Sequence, residues 1–289
     1  MSYFALFAML AGHIFSALMA KHLFRDKKVA QEWSIVIWKF ILPFLVFTVI
    51  FIVRPPPHIP PLFWFFVFVA LPFEFAGQFL SIHALKVSDV SLVAPFANLT
   101  PLFLLVLGYV VSSDVPSLWG IAGVFLIVFS MFFIDPRRTK SSGVLTIFKD
   151  KGVLSMIGAA FAYSFTAAFA RKSIQITDPF TFGFIYLGLL LMGSIVAFRI
   201  QRSRANSLSD HWKETPLLWT LGIGATAETF GQYIAMSFFP AAYVIALKRL
   251  SALFQVLWGG AIWHEPELQR RLLLASLMIV GAVLILLKA

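Results

Sequence analysis

A glutamate stands in the middle of one of the most apolar runs of the chain, in the segment EFAGQF at residues 74–79. Glu74 and Gln78 are four positions apart, so on a helix they share one face, with Gly77 beside them. A charged side chain inside lipid costs about 2.5 to 3.5 kcal/mol on insertion scales, and it therefore usually faces a cavity or a partner. The position of Glu74 indicates a role in substrate binding or proton transfer.

The segment ETFGQY at residues 228–233 repeats this arrangement, with Glu228 and Gln232 in the same spacing. The structural alternative is that each glutamate pairs with a buried base, Lys39 or Lys248, and stabilises a helix bundle. The two roles are compatible, because a glutamate released from a lysine by substrate or by a proton would couple occupancy to conformation.

Two adjacent bases, Lys248 and Arg249, lie about two turns into another apolar run. Neighbouring positions on a helix are about 100° apart, so at most one of the two points directly into a cavity. Either could bind a carboxylate, phosphate or phosphonate, arginine in a bidentate manner and lysine as a point charge. The alternative is that one of them extends along the helix to the membrane surface. Asn98 aligns with Arg249 and is its expected polar counterpart.

Several other polar or aromatic residues within the apolar runs are candidates. His13 is either a proton relay, since histidine titrates near neutrality, or a hydrogen-bonded packing residue. Tyr163 aligns with His13, and together with Tyr233 and Trp38 it could form an aromatic wall for a ligand. Lys39 either faces a cavity or extends to the interface.

The elements that carry these residues are membrane helices. Of the 289 residues, 60% are hydrophobic and 12% are charged, and the apolar runs are long enough to cross a bilayer. The absence of cysteine excludes disulfides and thiolate chemistry. Ten helices are predicted, near residues 3–22, 33–53, 62–85, 90–111, 117–134, 152–172, 180–198, 216–238, 241–263 and 270–288.

The two halves of the chain resemble each other. The glutamate segments recur at an offset of 154, and FSALMAKH at 15–22 matches FTAAFARK at 165–172 at an offset of 150. A third match, at an offset of 151, pairs NLTPLFLLVLGYVVSSDVP, residues 98–116, with RLSALFQVLWGGAIWHEPE, residues 249–267. The sequence therefore predicts two five-helix repeats.

The third match also aligns two acids, Asp114 and Glu265, at the ends of the fourth and ninth helices beside Pro116 and Pro266. Acids just before a helix favour N-terminal capping. We expect both to be structural.

An odd number of helices per repeat places the second repeat in the opposite orientation. The repeats are assigned to residues 1–140 and 141–289. Loops that follow odd-numbered helices carry 16 Lys and Arg, whereas the other loops and the termini carry 4. By the positive-inside rule both termini lie outside the cytoplasm.

Two long segments resemble the ten-helix, EamA-type branch of the drug/metabolite transporter superfamily. They are ALKVSDVSLVAPFANLTPLFLLVLGYVVSSDVPSLWGIAGVFLIVFSMFFI and YVIALKRLSALFQVLWGGAIWHEPELQRRLLLASLMIVGAVLIL. The resemblance implies two inverted five-helix repeats and a central cavity lined mainly by the first four helices of each. It also implies that the fifth helices pack peripherally.

The sequence thus predicts an all-α polytopic protein of the bacterial inner membrane, a secondary active transporter of a small polar, anionic or zwitterionic metabolite by alternating access. Protons are a candidate coupling ion, and a homodimer is a candidate assembly. The alternative is a lipid-active protein, flippase-like or scaffolding, whose bases meet lipid phosphates. No hydrolase elbow, zinc helix, phosphate loop or acidic metal cluster occurs in the sequence, which predicts no enzyme, metal or cofactor. The bases lie in short loops between spans, which favours membrane orientation over nucleic-acid binding.

Overall fold

The computed structural model describes residues 2–25, 32–54, 56–88, 93–133, 150–201, 215–251 and 268–287. The regular structure of these residues is helical, and the all-helical prediction is confirmed. The helices are α1 (Ser2–Arg25), α2 (Glu32–Val53), α3 (Pro61–Val87), α4 (94–112), α5 (Leu118–Phe133), α6 (Lys151–Ile176), α7 (Pro179–Gln201), α8 (Thr215–Phe238), α9 (Ala241–Lys248) and α10 (Leu268–Leu287). The ten segments correspond to the ten predicted helices, and the remainder of the predicted ninth helix lies outside the described residues.

Three of the described segments are long and apolar enough to cross a membrane on their own: Pro61–Ser81, Lys151–Ile176 and Pro179–Ala197. Shorter apolar helices of 10 to 17 residues occur in α1, α2, α4, α5 and α10. The three longer segments fit a membrane protein, because a bilayer core about 30 Å thick needs about 20 helical residues per crossing.

The helix α4 is irregular at both ends. It begins as a 3₁₀ helix over Ala94–Leu99, continues as an α-helix over Thr100–Leu107 and ends in a π-helical turn over Gly108–Ser112. Ser113, with a φ of 58°, then terminates the helix in the left-handed conformation. A 3₁₀ turn at a helix end is common, whereas a π-helical turn is rare and often occurs at functional sites.

The described helices form two compact units, each built from both halves of the sequence. The first unit is Met1–Pro60 with Ile174–Phe238, and it contains α1, α2, α7 and α8. The second unit is Pro61–Ser173 with Phe239–Ala289, and it contains α3 to α6, α9 and α10. The candidate residues are therefore positioned by helix pairs that combine the two sequence repeats.

In the first unit, α1 crosses α8 at closely spaced small residues. A Cβ on Gly12 would lie 2.6 Å from the carbonyl oxygen of Gly224, so a side chain there does not fit. Helix α2 packs between α7 and α8, where the fully buried ring of Phe47 contacts the rings of Phe180 and Phe230. In lipid there is no hydrophobic driving force between helices. Close contact at small residues and packing of aromatic rings stabilise these helix contacts instead.

In the second unit, α3 packs along α6. The rings of Phe73 and Phe165 stack with their centroids 4.5 Å apart. The helices α5 and α10, the last of each repeat, cross where a Cβ on Gly281 would lie 2.8 Å from the carbonyl oxygen of Gly123. Helix α9 packs on α4 and α5, and the hydroxyl of Tyr243 accepts the N–H of Ser117 at 2.8 Å.

The acids at helix ends differ in part from the sequence expectation. The hydroxyl oxygen of Ser117 accepts the N–H of Gly120 at 3.0 Å at the start of α5. Asp114 instead pairs with Arg171, which lies buried within α6. A buried guanidinium requires a counterion, which explains why the carboxylate turns towards α6. Glu265 lies outside the described residues.

Candidate functional site

In the first unit, the carboxylate of Glu228 is the centre of a polar cluster. Glu228 is 4% exposed. Its Oε1 lies 3.0 Å from Nδ1 of His13, and the hydroxyl of Ser16 donates to Oε2 at 3.1 Å. The ammonium of Lys39 lies 4.0 Å from the same Oε2. We call these four residues the Glu228 cluster.

The crossing of α1 and α8 creates the Glu228 cluster. Because Gly12 lacks a side chain, α1 approaches the backbone of α8 at Gly224 and Ala227, immediately before Glu228. His13 and Ser16 are three positions apart on α1 and so face the same side of that helix. The close contact between α1 and α8 therefore places the imidazole of His13 and the hydroxyl of Ser16 beside the carboxylate of Glu228.

The charges of the Glu228 cluster change when a proton binds or leaves. Lys39 neutralises an ionised Glu228, whereas the imidazole of His13 can hold a proton beside the carboxylate. The side chain of Lys39 is 41% exposed, so it reaches the carboxylate from the more open side of the cluster. The arrangement can accept or release one proton without leaving the glutamate unpaired.

In the second unit, Glu74 belongs to a polar stripe on α3 that faces α6. The amide of Gln78 donates to Oε1 of Glu74 at 3.2 Å. The ring of Tyr163 packs against Gly77, where an added Cβ would lie 2.9 Å from ring carbon Cδ1. The hydroxyls of Tyr163 and Ser81 are 3.2 Å apart.

Arg249 brings a positive charge to the same unit. Both Arg249 and Glu74 lie near the phenol of Tyr163. Nη2 of Arg249 donates to the carbonyl oxygen of Ala97 at 3.2 Å, in the 3₁₀ turn of α4. The next residue of that turn, Asn98, is 5% exposed. We call Glu74, Gln78, Ser81, Tyr163 and Arg249 the Glu74 cluster.

Gln78 provides an acceptor within the Glu74 cluster. Its side chain is buried, and its Oε1 has no hydrogen-bond partner among the described residues. A buried amide oxygen normally has a donor, because leaving it unsatisfied costs about 1 to 3 kcal/mol. The oxygen is thus suited to a ligand that brings N–H or O–H groups.

The remaining candidates have the following positions. Lys248 is the last residue of α9 and is half-buried. Gln232 lies four residues after Glu228 on α8 and is also half-buried. Tyr233 is 6% exposed, and its ring packs edge-on against Phe47 and Phe182, as part of the aromatic core of the first unit.

The structure thus brings His13, Lys39 and Glu228 together in one unit and Glu74, Gln78, Tyr163 and Arg249 together in the other. The sequence interpretation missed the hydroxyls of Ser16 and Ser81. Each lies three residues after a named candidate, a spacing that could have identified it.

The interpretation also missed Arg171 as a buried residue. The sequence did contain a signal for an ion pair: Arg171 aligns with another base, Lys21, and Asp114 aligns with another acid, Glu265.

Metal binding has no support in the described part of the chain. There, no group of three or more His, Cys, Asp or Glu side chains is arranged to hold a metal ion.

Comparisons with known proteins agree on the fold. The model of the EamA-like transporter family matches residues 2–134 and 150–287, one segment for each repeat. A solved structure described only as the crystal structure of a protein superposes with a TM-score of 0.76 at 14% identity and covers 99% of both chains. At that identity the likeness concerns the fold alone. No curated protein matches the chain.

Proposed function

Because the chain belongs to the EamA-like transporter family, we propose that it is a secondary active transporter of a small polar, anionic or zwitterionic metabolite. It works by alternating access and uses Glu228 as its proton-binding residue. The observation that carries the proposal is the buried carboxylate of Glu228 in contact with His13 and Lys39. Intramembrane ionisable groups of this kind characterise proton relays and substrate pathways in transporters.

The coupling follows from the charge of Glu228. When the carboxylate is ionised, it attracts Lys39 on α2 and His13 on α1 and so joins three helices of one unit. When it is protonated, these attractions weaken and the helices can separate. If one of two helix arrangements binds the proton more tightly, protonation shifts the equilibrium towards that arrangement. The size of the shift is set by the difference in proton affinity between the two arrangements.

The Glu74 cluster supports a substrate that carries both charges. Glu74 and the Oε1 of Gln78 are acceptors for an ammonium group, whereas Arg249 is a donor for a carboxylate, phosphate or phosphonate. Lys248, next to Arg249 at the end of α9, is the alternative base for the anionic group. A small zwitterion is complementary to this pattern.

The distribution of basic residues supports an orientation with both termini outside the cytoplasm, in the inner membrane of a bacterium. Loops that follow odd-numbered helices then face the cytoplasm. In this orientation α4 and α6 both end at the outer face.

The test uses the purified chain in liposomes that contain a pH-sensitive dye. A pH gradient is imposed, and a panel of amino acids, small carboxylates and small phosphonates is added one at a time. We expect at least one solute to produce proton movement that empty liposomes lack. Glu228→Gln should abolish pH-driven flux and leave the folded yield intact, because the amide is isosteric but cannot be ionised.

Glu74→Gln is the matched control, since it removes the aligned carboxylate in the other unit. It should raise the solute concentration needed for half-maximal flux and leave the proton dependence in place. The transport proposal is wrong if no solute moves while a labelled lipid crosses between the leaflets, which is the lipid-active alternative. If Glu228→Gln abolishes the folded yield, the carboxylate is a structural partner of its bases.

A further inference from the structure

A buried ion pair connects the end of α4 to α6 within the second unit. Nη2 of Arg171 lies 3.2 Å from Oδ1 of Asp114, and Nε lies 3.4 Å from both carboxylate oxygens. The side chains of Arg171 and Asp114 are 9% and 8% exposed. A second contact lies one turn away, where the hydroxyl of Ser112 donates to the carbonyl oxygen of Ala168 at 3.1 Å.

The backbone around Asp114 differs from a regular helix end. The π-helical turn Gly108–Ser112 precedes the left-handed Ser113, and the N–H of Asp114 donates to the carbonyl oxygen of Gly108 at 3.1 Å. π-helical turns are rare, often occur at functional sites and are among the places where helices kink. The segment that carries the carboxylate therefore has a local point of bending.

The remainder of α4 follows α6 through apolar contacts. Val93 and Phe96 pack with Val153 and Met156 in one buried cluster at the other end of both helices. In the middle, the ring of Phe103 lies edge-on to that of Phe161, with centroids 5.4 Å apart. Helix α4 is thus anchored to α6 by apolar packing in its first part and by polar contacts at its end.

We propose that Asp114 and Arg171 form a latch that closes the end of α4 onto α6 in one state of the transport cycle and opens in another, an inference that rests on the proposed transport function. A buried ion pair is suited to this use, because its charges lose hydration on closing and recover it on opening. The closed ion pair and the open, hydrated side chains can therefore be close in free energy. An apolar contact at the same place would favour the closed state alone. In the proposed orientation the latch lies at the outer face.

The repeat supports this role from the sequence side. FSALMAKH and FTAAFARK align Lys21 with Arg171, and the third repeat match aligns Glu265 with Asp114. Opposite charges are thus kept at both pairs of positions.

The first experiment measures opening without transport. The chain has no cysteine, so Ser112→Cys, at a position 4% exposed, introduces a single buried thiol. Its labelling by a small maleimide in liposomes reports how often the end of α4 opens. In this background we expect Arg171→Gln to accelerate labelling at least about tenfold, equivalent to about 1.4 kcal/mol of lost closure. The charge exchange Asp114→Arg with Arg171→Asp should restore slow labelling.

An unchanged labelling rate in folded Arg171→Gln overturns the latch, since the pair would then be a static brace. Fast labelling in the charge-exchanged variant overturns it as well, because the pair itself would not control the opening. If Arg171→Gln does not fold, the charge-exchanged variant and the second experiment still decide.

The second experiment closes the latch covalently with Ser112→Cys and Ala168→Cys. We expect the disulfide to stop solute flux and a reductant to restore it, while each single variant transports in both conditions. Full flux with the disulfide formed overturns the latch. If no solute is transported before oxidation but the labelling follows the expectation, the transport proposal fails and the latch remains.

Discussion

At the scale of single residues, the two aligned glutamates have different surroundings. Glu228 contacts His13 and Lys39, whereas Glu74 contacts Gln78 and lies near Tyr163. The sequence identified both glutamates as candidates, because charges inside apolar runs and their recurrence are visible in it. The distances depend on helix crossings, which the spacing along one helix does not define.

In the proposed mechanism His13 contributes to the pH dependence of transport beside the proton-binding Glu228. Its imidazole lies 3.0 Å from the carboxylate of Glu228 and can exchange a proton with it. His13→Gln keeps a hydrogen-bond donor but cannot be protonated, so we expect solute flux to lose most of its variation between about pH 6 and pH 8. The measurement is the initial rate of flux in liposomes over that range.

Tyr163→Phe is the control, because Tyr163 occupies the aligned position in the other repeat. It should change the solute concentration needed for flux and keep the pH profile. A pH profile of His13→Gln identical to that of the unmodified chain would mean that the histidine is a packing residue.

At the scale of elements, most helix positions were predictable and the irregular ends were not. The sequence predicts a single fourth helix over residues 90–111, and Pro95 and Pro101 indicate irregularity within it. The π-helical turn Gly108–Ser112 and the left-handed Ser113 have no such signal. They accompany the contact of Asp114 with Arg171, which is remote in sequence.

The start of α6 provides a stability test, because Asp150 connects it to the end of α3. The hydroxyl of Ser88 donates to Oδ1 of Asp150 at 2.6 Å, and the N–H of Val153 donates to the same oxygen at 2.9 Å. These two hydrogen bonds lower the pKa of the carboxyl of Asp150 from its usual value of 3.8. The stabilisation is therefore complete above that value and is lost as the pH falls through the lower pKa of the folded state.

We expect Asp150→Ala to decrease the free energy of unfolding by about 1 kcal/mol at neutral pH, as is typical for loss of an N-terminal cap. The thermal midpoint in detergent should decrease accordingly, and the difference from the unmodified chain should narrow below about pH 4. Asp150→Asn retains a capping oxygen and should lose less. Equal midpoints for Asp150→Ala and the unmodified chain at neutral pH would contradict a capping role.

At the scale of the whole molecule, the two halves that resemble each other in sequence are not the two groups of helices that pack together. The repeat matches predict halves at residues 1–140 and 141–289, and the family model matches residues 2–134 and 150–287. The compact units instead combine α1 and α2 with α7 and α8, and α3 to α6 with α9 and α10. Alignment of two halves indicates that their helices are equivalent, but it contains no information on which helices touch.

The orientation of the chain is the last prediction, and it follows from where the basic residues lie. Arg202, Arg204 and Lys213 lie between α7 and α8, whereas Arg54 is the one base in the segment between α2 and α3. By the positive-inside rule, the first of these segments faces the cytoplasm and the second faces outward.

Single thiols in the cysteine-free chain test this orientation. His58→Cys, in the exposed segment that precedes α3, should react with a membrane-impermeant maleimide on intact cells. Ser207→Cys, in the basic segment before α8, should react only after the cells are permeabilised. The reverse pattern would invert the molecule and place the Asp114–Arg171 latch at the cytoplasmic face. Labelling of both thiols on intact cells would indicate two opposite insertions, which the charge difference of 16 to 4 between the two sets of loops makes unfavourable.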